Sequence, residues 1–423
     1  MTKPRFFYTL GLWLLLPYIF FHLLWRARKQ PAYLRHVAER FGFYAVRSDK
    51  PVLWLHTVSV GETRAAASLV QRLREIYPEH QLLLTHTTPT GRETSEQLYG
   101  DQVLRVYLPY DYPFAVSRFL KHFRPRLGAL LETEIWFNLI HACHAAEIPL
   151  LLLNARLSEK SATAYARYPN LVHLGLRELR AIGAQTETDA ARLSALGANN
   201  VSVMGNLKFD IEPASPLLEM GQQLRDQFGD NRKIFLMAST RAGEEAMLLD
   251  ALQPLHIPGL LSVIVPRHPQ RFDEVAALLT QRGIRFQRRS ANIAVAAHTQ
   301  VVLGDSMGEM FAYYAACDLA FIGGSLLPFG GQNLIEACAV GKPVVIGPHT
   351  YNFAQASQLA VDSGAALRVQ DAAELARALP ALLCDHARMR TMGEAGSAFV
   401  NAHRGATGRA LAHVSRFLGR HFQ

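Results

Sequence analysis

Short apolar runs alternate with amphipathic runs along most of the chain, which is the pattern of parallel strands covered by helices. The helical pattern is clearest after the first predicted strand, where apolar residues recur at i, i+3, i+4 and i+7 from Ala66 to Ile76. The predicted strands are 52–55, 82–85, 103–108, 127–131, 150–153 and 201–203 in the first half, and 234–238, 260–265, 301–303, 319–322 and 344–346 in the second. The pattern therefore predicts an α/β protein.

Two prolines, Pro213 and Pro216, fall between the two series of strands, so we interpret 211–217 as a linker. A chain of 423 residues also exceeds one ordinary hydrophobic core. We predict two Rossmann-like domains, 31–210 and 218–400, with 401–423 as a C-terminal helix that packs back on the first domain. In open sheets of this kind ligands bind at the carboxyl ends of the strands, which we expect to face a cleft between the domains.

The N-terminal segment, 1–30, is predicted to be a membrane anchor. Residues 6–24 are almost wholly apolar and aromatic, and a helix that crosses a bilayer needs roughly 20 such residues. Pro17 and His22 leave an interfacial or re-entrant segment open as the alternative. Lys3 and Arg5 precede this stretch, and more basic residues follow it: Arg26, Arg28, Lys29, Arg35 and Arg40. This bias places the body of the protein on the cytoplasmic side.

The composition is that of a packed protein, with 49% hydrophobic and 19% charged residues. The net charge of +9 favours anionic partners such as phosphorylated substrates or lipid head groups. Nucleic acid is disfavoured because the basic residues are scattered, without a dense basic helix or patch. The four cysteines lack metal-binding spacing and are expected to be free thiols in a reducing compartment. No other metal-binding motif is present, so we expect no protein-bound metal.

The segment 321–336 has the pattern strand, glycine loop, helix. Its paired glycines, 323–324 and 330–331, let backbone amides approach a ligand closely, and a helix that starts near Asn333 directs free N–H groups at a phosphate. Glu336, one turn into the helix, could accept ribose hydroxyls. The alternative is a tight turn with Asn333 as the helix cap.

Two further loops follow strands of the second domain and could reach the same ligand. Arg267 provides a permanent cation for phosphate, although a solvated surface charge is the simpler interpretation. The amides around Met307 and Gly308 could hold a base or a phosphate. In 239–245, Ser239 or Thr240 is expected to cap the helix that follows.

In the first domain, Glu62 stands at the start of the helix that follows the first strand. A glutamate at this position is ordinarily a favourable charge on the helix dipole. The functional hypothesis is a general base, which requires that Glu62 face the cleft and that burial raise its pKa. The loops 88–91, 132–134, 154–156 and 206–208 all follow predicted strands and are expected to converge on one edge.

Taken together, these motifs resemble the 3-deoxy-D-manno-octulosonic acid (Kdo) transferases over nearly the whole chain. The resemblance rests on the motifs HTVSVGE (56–62), TPTG (88–91), LETEIW (131–136), NARLS (154–158), GNLKFD (205–210), VPRHPQRF (265–272), GDSMGEM (304–310), GGSLLPFGGQN (323–333) and GPHTYNF (347–353).

The resemblance implies a GT-B fold with a single N-terminal anchor at the cytoplasmic face of the inner membrane. It also implies inverting transfer of Kdo from CMP-Kdo to a lipid A precursor, lipid IVA, in lipopolysaccharide core biosynthesis, with no cofactor. Glu62 matches the general base, and Glu132 and Lys208 match stabilisers of the transition state. The CMP site is matched by Arg267, His268, Met307, Gly308, Glu309, Asn333, Leu334, Ile335 and Glu336.

One departure from the family is clear: Gln332 and Ala337 stand where many relatives carry histidine and proline. Two other functions stay open from the residues alone. A nucleotide-sugar epimerase would use the same second domain without needing an anchor, and a membrane-bound sensor of nucleotide sugars would keep the CMP site without needing Glu62.

Overall fold

The computed structural model describes residues 2–419, which fold into two compact units. Unit 1 extends to Asp210 and resumes at His403, and unit 2 is Ile211–Ala402. Within the described residues each unit contains one sheet of seven strands, all parallel. The predicted α/β class with two Rossmann-like sheets is confirmed.

The strands of unit 1 are β1 Val52–His56, β2 Gln81–His86, β3 Leu104–Tyr107, β4 Pro125–Leu131, β5 Leu150–Ala155, β6 Ala181–Ala184 and β7 Val201–Val203. Its helices before the linker are α1 Lys3–Lys29, α2 Val60–Ala65, α3 Ala67–Ile76, α4 Pro89–Tyr99, α5 Pro113–Phe123, α6 Phe137–Ala145, α7 Glu159–Ala166, α8 Pro169–Glu178 and α9 Glu187–Ala195. The strand order is β3-β2-β1-β4-β5-β6-β7, so the direction of winding reverses between β1 and β4.

The Leu-rich strands of unit 1 are buried on both faces, as expected for a parallel sheet under two layers of helices. Trp54 of β1 packs over Gly128 of β4, where a Cβ would lie 2.4 Å from the indole ring. The apolar stripe predicted for the first helix is confirmed, because Leu69, Val70 and Leu73 of α3 face the core.

The strands of unit 2 are β8 Lys233–Thr240, β9 Leu260–Pro266, β10 Phe286–Arg288, β11 Val301–Leu303, β12 Leu319–Ile322, β13 Val344–Ile346 and β14 Ala366–Arg368. The helices that follow the linker are α10 Ser215–Phe228, α11 Glu244–Leu252, α12 Phe272–Gln281, α13 Met310–Ala316, α14 Ile335–Ala339, α15 Ala354–Asp362, α16 Ala372–Cys384, α17 His386–His403 and α18 Ala406–Leu418. The strand order is β10-β11-β9-β8-β12-β13-β14, with the reversal between β8 and β12.

The chain passes between the units at two points. The predicted linker, 211–217, includes the start of α10, because the helix begins at Ser215 and tolerates Pro216 in its first turn. Helix α18 belongs to unit 1, where Ala410, Leu411 and Val414 pack into the core beneath β4 and β5. Of the predicted C-terminal helix 401–423, the last four residues lie outside the described part of the chain.

Helix α1 covers the predicted anchor and continues through Pro17. Within Lys3–Arg28 an 18-residue window has a mean hydropathy of 1.7, so the helix is long and apolar enough to cross a membrane. Eleven per cent of that window is buried in the protein.

Candidate active site

Glu62 lies in α2, the short helix after β1. Ser59 caps this helix, since its Oγ accepts the Glu62 N–H at 3.4 Å and donates to Glu62 Oε1 at 2.8 Å. Glu62 Oε2 accepts the backbone N–H of Val58 at 2.8 Å. This is a variant of the capping box in which the glutamate reaches the residue before the cap. The local sequence therefore holds the carboxylate in one position.

Burial governs the acidity of this carboxylate. Glu62 is 9% exposed, and desolvation together with the negative charge of Glu132 raises its pKa to about 7. The hydrogen bonds from Val58 and Ser59 and a charge on His56 oppose that rise. A group with this pKa can accept and release a proton near neutral pH. The raised pKa that the general-base hypothesis requires is present, and Glu62 also fulfils the simpler role of stabilising the helix start.

Glu132 and Lys208 form an ion pair at the same edge of the sheet. Glu132 directly follows β4 and adopts a left-handed backbone conformation, with φ 61°, which is uncommon for a residue with a side chain. Its Oε1 lies 3.4 Å from Lys208 Nζ, which the turn after β7 supplies. About a quarter of each side chain is exposed. The pair is therefore more exposed than Glu62.

Asn154 and Gln185 fix the turn that carries Lys208. Asn154 Oδ1 accepts the Leu207 N–H at 3.0 Å, and Gln185 Oε1 accepts from Asn206 at 3.0 Å. Residues from the ends of β5 and β6 thus position a side chain that follows β7. The convergence predicted for the loops 132–134, 154–156 and 206–208 is present in the structure.

Sequence reasoning assigned no role to His56 and Glu134, which extend this cluster. His56 is fully buried at the end of β1, and its Nδ1 lies 2.8 Å from Thr85 Oγ1. Its Nε2 lies 3.6 Å from Glu134 Oε2, too far for a hydrogen bond, and that oxygen accepts the Trp136 Nε1–H at 2.7 Å. The sequence did hold a signal for both residues, because each lies in one of the motifs shared with the Kdo transferases. Both also lie at the ends of β1 and β4, the two strands between which the direction of winding reverses. Such a point is where parallel sheets bind ligands.

In unit 2, Glu244 organises the glycine loop that follows β12. Its buried carboxylate accepts backbone N–H groups from Gly324 at 2.6 Å, Leu326 at 3.1 Å and Arg241 at 2.9 Å. Burial raises the pKa of Glu244, and these hydrogen bonds counteract the rise. Gly323 is required because a Cβ there would lie 2.5 Å from the Ser239 carbonyl oxygen. The loop is a fixed structure rather than a tight strand-to-helix turn.

The helix predicted to start near Asn333 is α14, which begins at Ile335. The Asn333 side chain accepts the Ile335 N–H and donates to Glu336 Oε1, both at 3.1 Å. The predicted cap of α11 is wrong. Helix α11 is capped by Gly243 rather than by Ser239 or Thr240. Both of those residues belong to β8, and Thr240 donates to Glu245 at 2.7 Å, so neither is free to cap.

Arg267 and His268 follow β9 at the carboxyl edge of the second sheet. Arg267 Nε donates to Gln332 Oε1 at 3.1 Å, so the residue that departs from the family pattern contacts the proposed phosphate-binding cation. His268 Nε2 lies 2.8 Å from Arg241 Nη1, and since arginine only donates, this nitrogen accepts. Partial burial and the surrounding guanidinium groups lower the pKa of His268. Arg267 is half-buried, and His268 is exposed.

The loop 307–309 follows β11 at the same edge. Gly308 has φ 82° and open space beside it, and Met307 is 53% exposed, so the backbone here is accessible. Glu309 is held in place by Ser306 Oγ at 2.7 Å and Arg289 Nε at 3.3 Å.

The structure therefore gathers the predicted residues into two sets. Glu62, Glu132 and Lys208 lie together at the carboxyl edge of the first sheet. Arg267, His268 and the loops 307–309 and 333–336 follow β9, β11 and β12 of the second sheet. Across residues 2–419, no group of three or more His, Cys, Asp or Glu side chains is arranged to hold a metal ion.

Comparison with known proteins identifies the family. Residues 35–211 match the family described as 3-deoxy-D-manno-octulosonic-acid transferase (kdotransferase), and residues 283–399 match glycosyl transferases group 1. The 3-deoxy-D-manno-octulosonic acid transferase of Bordetella pertussis is 43% identical, over 97% of this chain and 99% of its own. The enzyme of the same name from Haemophilus influenzae is 38% identical, over 98% of this chain and 99% of its own.

A solved structure shows the same fold. The crystal structure of a glycosyltransferase from Rickettsia africae, 14% identical, matches with a TM-score of 0.58 over 88% of this chain and 100% of its own. The resemblance seen in the motifs is confirmed, and the chain belongs to the 3-deoxy-D-manno-octulosonic acid transferase family of glycosyltransferases.

Proposed function

We propose that this protein transfers Kdo from CMP-Kdo to a hydroxyl group of lipid IVA, the lipid A precursor, in the synthesis of the lipopolysaccharide core. Membership of the family supports Kdo as the sugar that is moved. The observation that carries the chemistry is Glu62, a fixed and buried carboxylate whose pKa is raised to about 7 beside the reversal point of the first sheet.

The proposed reaction is a single displacement with inversion. The acceptor hydroxyl oxygen forms a bond to the anomeric carbon of Kdo as the bond from that carbon to the CMP phosphate oxygen breaks. Glu62 takes the hydroxyl proton, and CMP leaves with the electron pair. Lys208, placed by Glu132, would stabilise the negative charge that develops, and Lys208 or Arg156 would neutralise the Kdo carboxylate.

We assign donor binding to unit 2. The positive charge of the Arg267 guanidinium complements the negative charge of the leaving phosphate. Gln332 positions this guanidinium by accepting a hydrogen bond from its Nε. The accessible backbone of 307–309 and the residues Asn333 to Glu336 would complete the CMP site, with Glu336 taking ribose hydroxyls. Because Asn333 already donates to Glu336, one Glu336 oxygen is held before CMP binds.

We further propose that the protein works at the cytoplasmic face of the inner membrane. An acylated acceptor requires an enzyme at a lipid surface, and α1 supplies an apolar segment with basic residues at its end.

The full chain incubated with CMP-Kdo and lipid IVA should yield a lipid with one or more added Kdo residues, detected by mass spectrometry. One CMP should be released for each Kdo that is added. Free sugar released without a change in the lipid would favour an epimerase-like or hydrolytic activity. CMP binding without any turnover would favour a sensor. Either result would overturn the proposal.

The rate should depend on pH through Glu62. Its pKa is about 7, against an ordinary value near 4.5, so kcat/KM should fall about tenfold per pH unit below pH 7. An ordinary solvated glutamate would keep its activity down to about pH 5. The measurement is kcat/KM for CMP-Kdo between pH 5 and 9, with CMP affinity and thermal unfolding followed over the same range.

Asp111 provides the control for this profile, because burial raises its pKa to about 7 as well. It accepts backbone N–H groups at the start of α6 and takes no part in the proposed chemistry. If Asp111→Asn keeps the acidic limb of the profile, the limb does not come from Asp111. A flat profile down to pH 5 in the native chain would remove Glu62 as the base.

A further inference from the structure

One face of helix α1 is buried or half-buried along almost its whole length. Buried or half-buried positions recur every three or four residues: Arg5, Tyr8, Thr9, Leu12, Leu16, Ile19, Leu23 and Ala27. From Arg5 to Ala27 this stripe spans roughly 33 Å at 1.5 Å per residue. The hydrocarbon core of a bilayer is about as thick, roughly 30 Å.

Polar contacts fasten the N-terminal half of α1 to the body. Tyr8 donates to Asp111 Oδ2 at 2.8 Å, and Thr9 donates to Asn138 Oδ1 at 3.1 Å. Tyr112 donates to the Leu12 carbonyl oxygen at 2.7 Å. Helices α6 and α8, with their polar and charged residues, flank α1 here. An α1 that stood perpendicular to the membrane would therefore carry them into the hydrocarbon.

The opposite face of α1 is a continuous apolar surface. Its large exposed side chains are Phe6, Phe7, Leu10, Trp13, Leu14, Leu15, Tyr18, Phe20, Phe21, Leu24 and Trp25. Trp13 and Tyr18 lie in the middle of the helix, whereas spanning helices concentrate such amphipathic aromatic residues at their two ends. An exposed apolar surface of this length needs a non-aqueous partner.

The C-terminal end of this face adds two features that suit lipid. A recess of about 380 Å³ between α1 and the body is lined by apolar and aromatic side chains, among them Pro17, Phe20, Phe41 and Tyr110. Arg26 and Arg28 follow and are exposed, so they can meet anionic head groups.

We infer that α1 is a monotopic element: it lies in the plane of the cytoplasmic leaflet, with its aromatic face among the acyl chains and its other face covered by unit 1, and does not cross the bilayer. This inference rests on the membrane location proposed above. It decides between the two orientations that the sequence left open, and it does so from the contacts along the helix. Both ends of α1 then remain on the same side of the membrane.

Cysteine labelling tests the orientation of the full chain. Cys384, the exposed native cysteine among the described residues, is first replaced by serine, and single cysteines are then introduced as Thr2→Cys and Arg28→Cys. Inverted inner-membrane vesicles expose the cytoplasmic face to a membrane-impermeant maleimide. Both variants should be labelled equally with and without detergent. Glu219→Cys, on an exposed position of unit 2, is the control for full access, and Leu14→Cys, 74% exposed on the apolar face, should be labelled only after detergent is added.

Two other outcomes would contradict this inference. If Thr2→Cys is labelled only in detergent while Arg28→Cys is labelled throughout, α1 crosses the bilayer and the monotopic orientation is wrong. If the protein stays in the supernatant, or Leu14→Cys is labelled freely in vesicles, α1 has no lipid partner. Labelling does not depend on turnover, so either result leaves the transferase proposal to its own assay.

Discussion

Glu62→Gln is expected to lower the rate of Kdo transfer by about 10²–10⁴-fold while CMP binding stays nearly unchanged. The substitution keeps the size of the side chain and can still accept from Val58 or Ser59, but it removes the group that takes the acceptor proton. The measurement is single-turnover transfer to lipid IVA, with CMP affinity determined by calorimetry on the same preparation.

Stability gives an independent check on this variant. The pKa of Glu62 rises from 4.5 in a solvated glutamate to about 7 in the fold, so the folded state binds the proton more tightly. Ionisation of Glu62 therefore lowers the free energy of unfolding as the pH rises above about 5, and the loss is complete above pH 7. Glu62→Gln should unfold at a higher temperature than the native chain at pH 8. This advantage should shrink at pH 5, where the native side chain is largely protonated.

Glu187→Gln is the matched control, because Glu187 also lies in the first turn of a helix of unit 1 but is exposed. It should transfer Kdo at the native rate. Native turnover by Glu62→Gln would take Glu62 out of the mechanism, and equal losses in both variants would point to a general effect on helix starts.

Lys208→Met should lower kcat/KM by about 10²–10³-fold, because it removes a cation proposed to act on charge that develops in the transition state. It should also change the pH profile. Without Lys208, the charge of Glu132 is no longer neutralised and raises the pKa of Glu62 further, so the acidic limb moves to higher pH. Glu132→Gln should move the limb the opposite way, to lower pH, although it too should slow transfer.

These opposite shifts separate an electrostatic role from a structural one. A variant that merely loosened the turn after β7 would lower the rate without moving the limb. Lys160→Met, on an exposed position of unit 1, should change neither quantity. If both Lys208→Met and Glu132→Gln leave the limb in place, the pair does not act on Glu62.

The sequence was sufficient to predict the strands that are buried on both faces. Uninterrupted apolar runs such as 150–153 are stable only where both faces are covered, as in a parallel sheet. It missed β6, which is four residues long with a single β-branched residue, and the three-residue strands β10 and β14 at the sheet edges. Edge strands are half-buried, so their apolar pattern is weak.

Local pattern also located the segments of the site but not their contacts. Glu244 was interpreted as part of a helix start, yet its carboxylate holds a loop 80 residues further along the chain. The same holds for the pairing of Lys208 with Glu132, which are 76 residues apart. Hydrogen bonds of this range depend on the order of the strands, which no window of sequence contains. The resemblance supplied the residues, and the structure supplied the partners.

The return of α18 to unit 1 has a consequence for synthesis of the chain. Asp210 accepts N–H groups from Gly405, at 2.7 Å, and from Thr407, so the end of the first segment binds the start of the last helix. While the ribosome translates unit 2, Leu127, Ala129 and Leu151 lack the apolar cover that Leu411 and Val414 later give. Unit 2 is continuous in sequence and can fold as soon as it emerges, whereas unit 1 must wait for the last few dozen residues. A premature stop codon after Ala402 would therefore leave the second unit intact and expose the first to proteolysis.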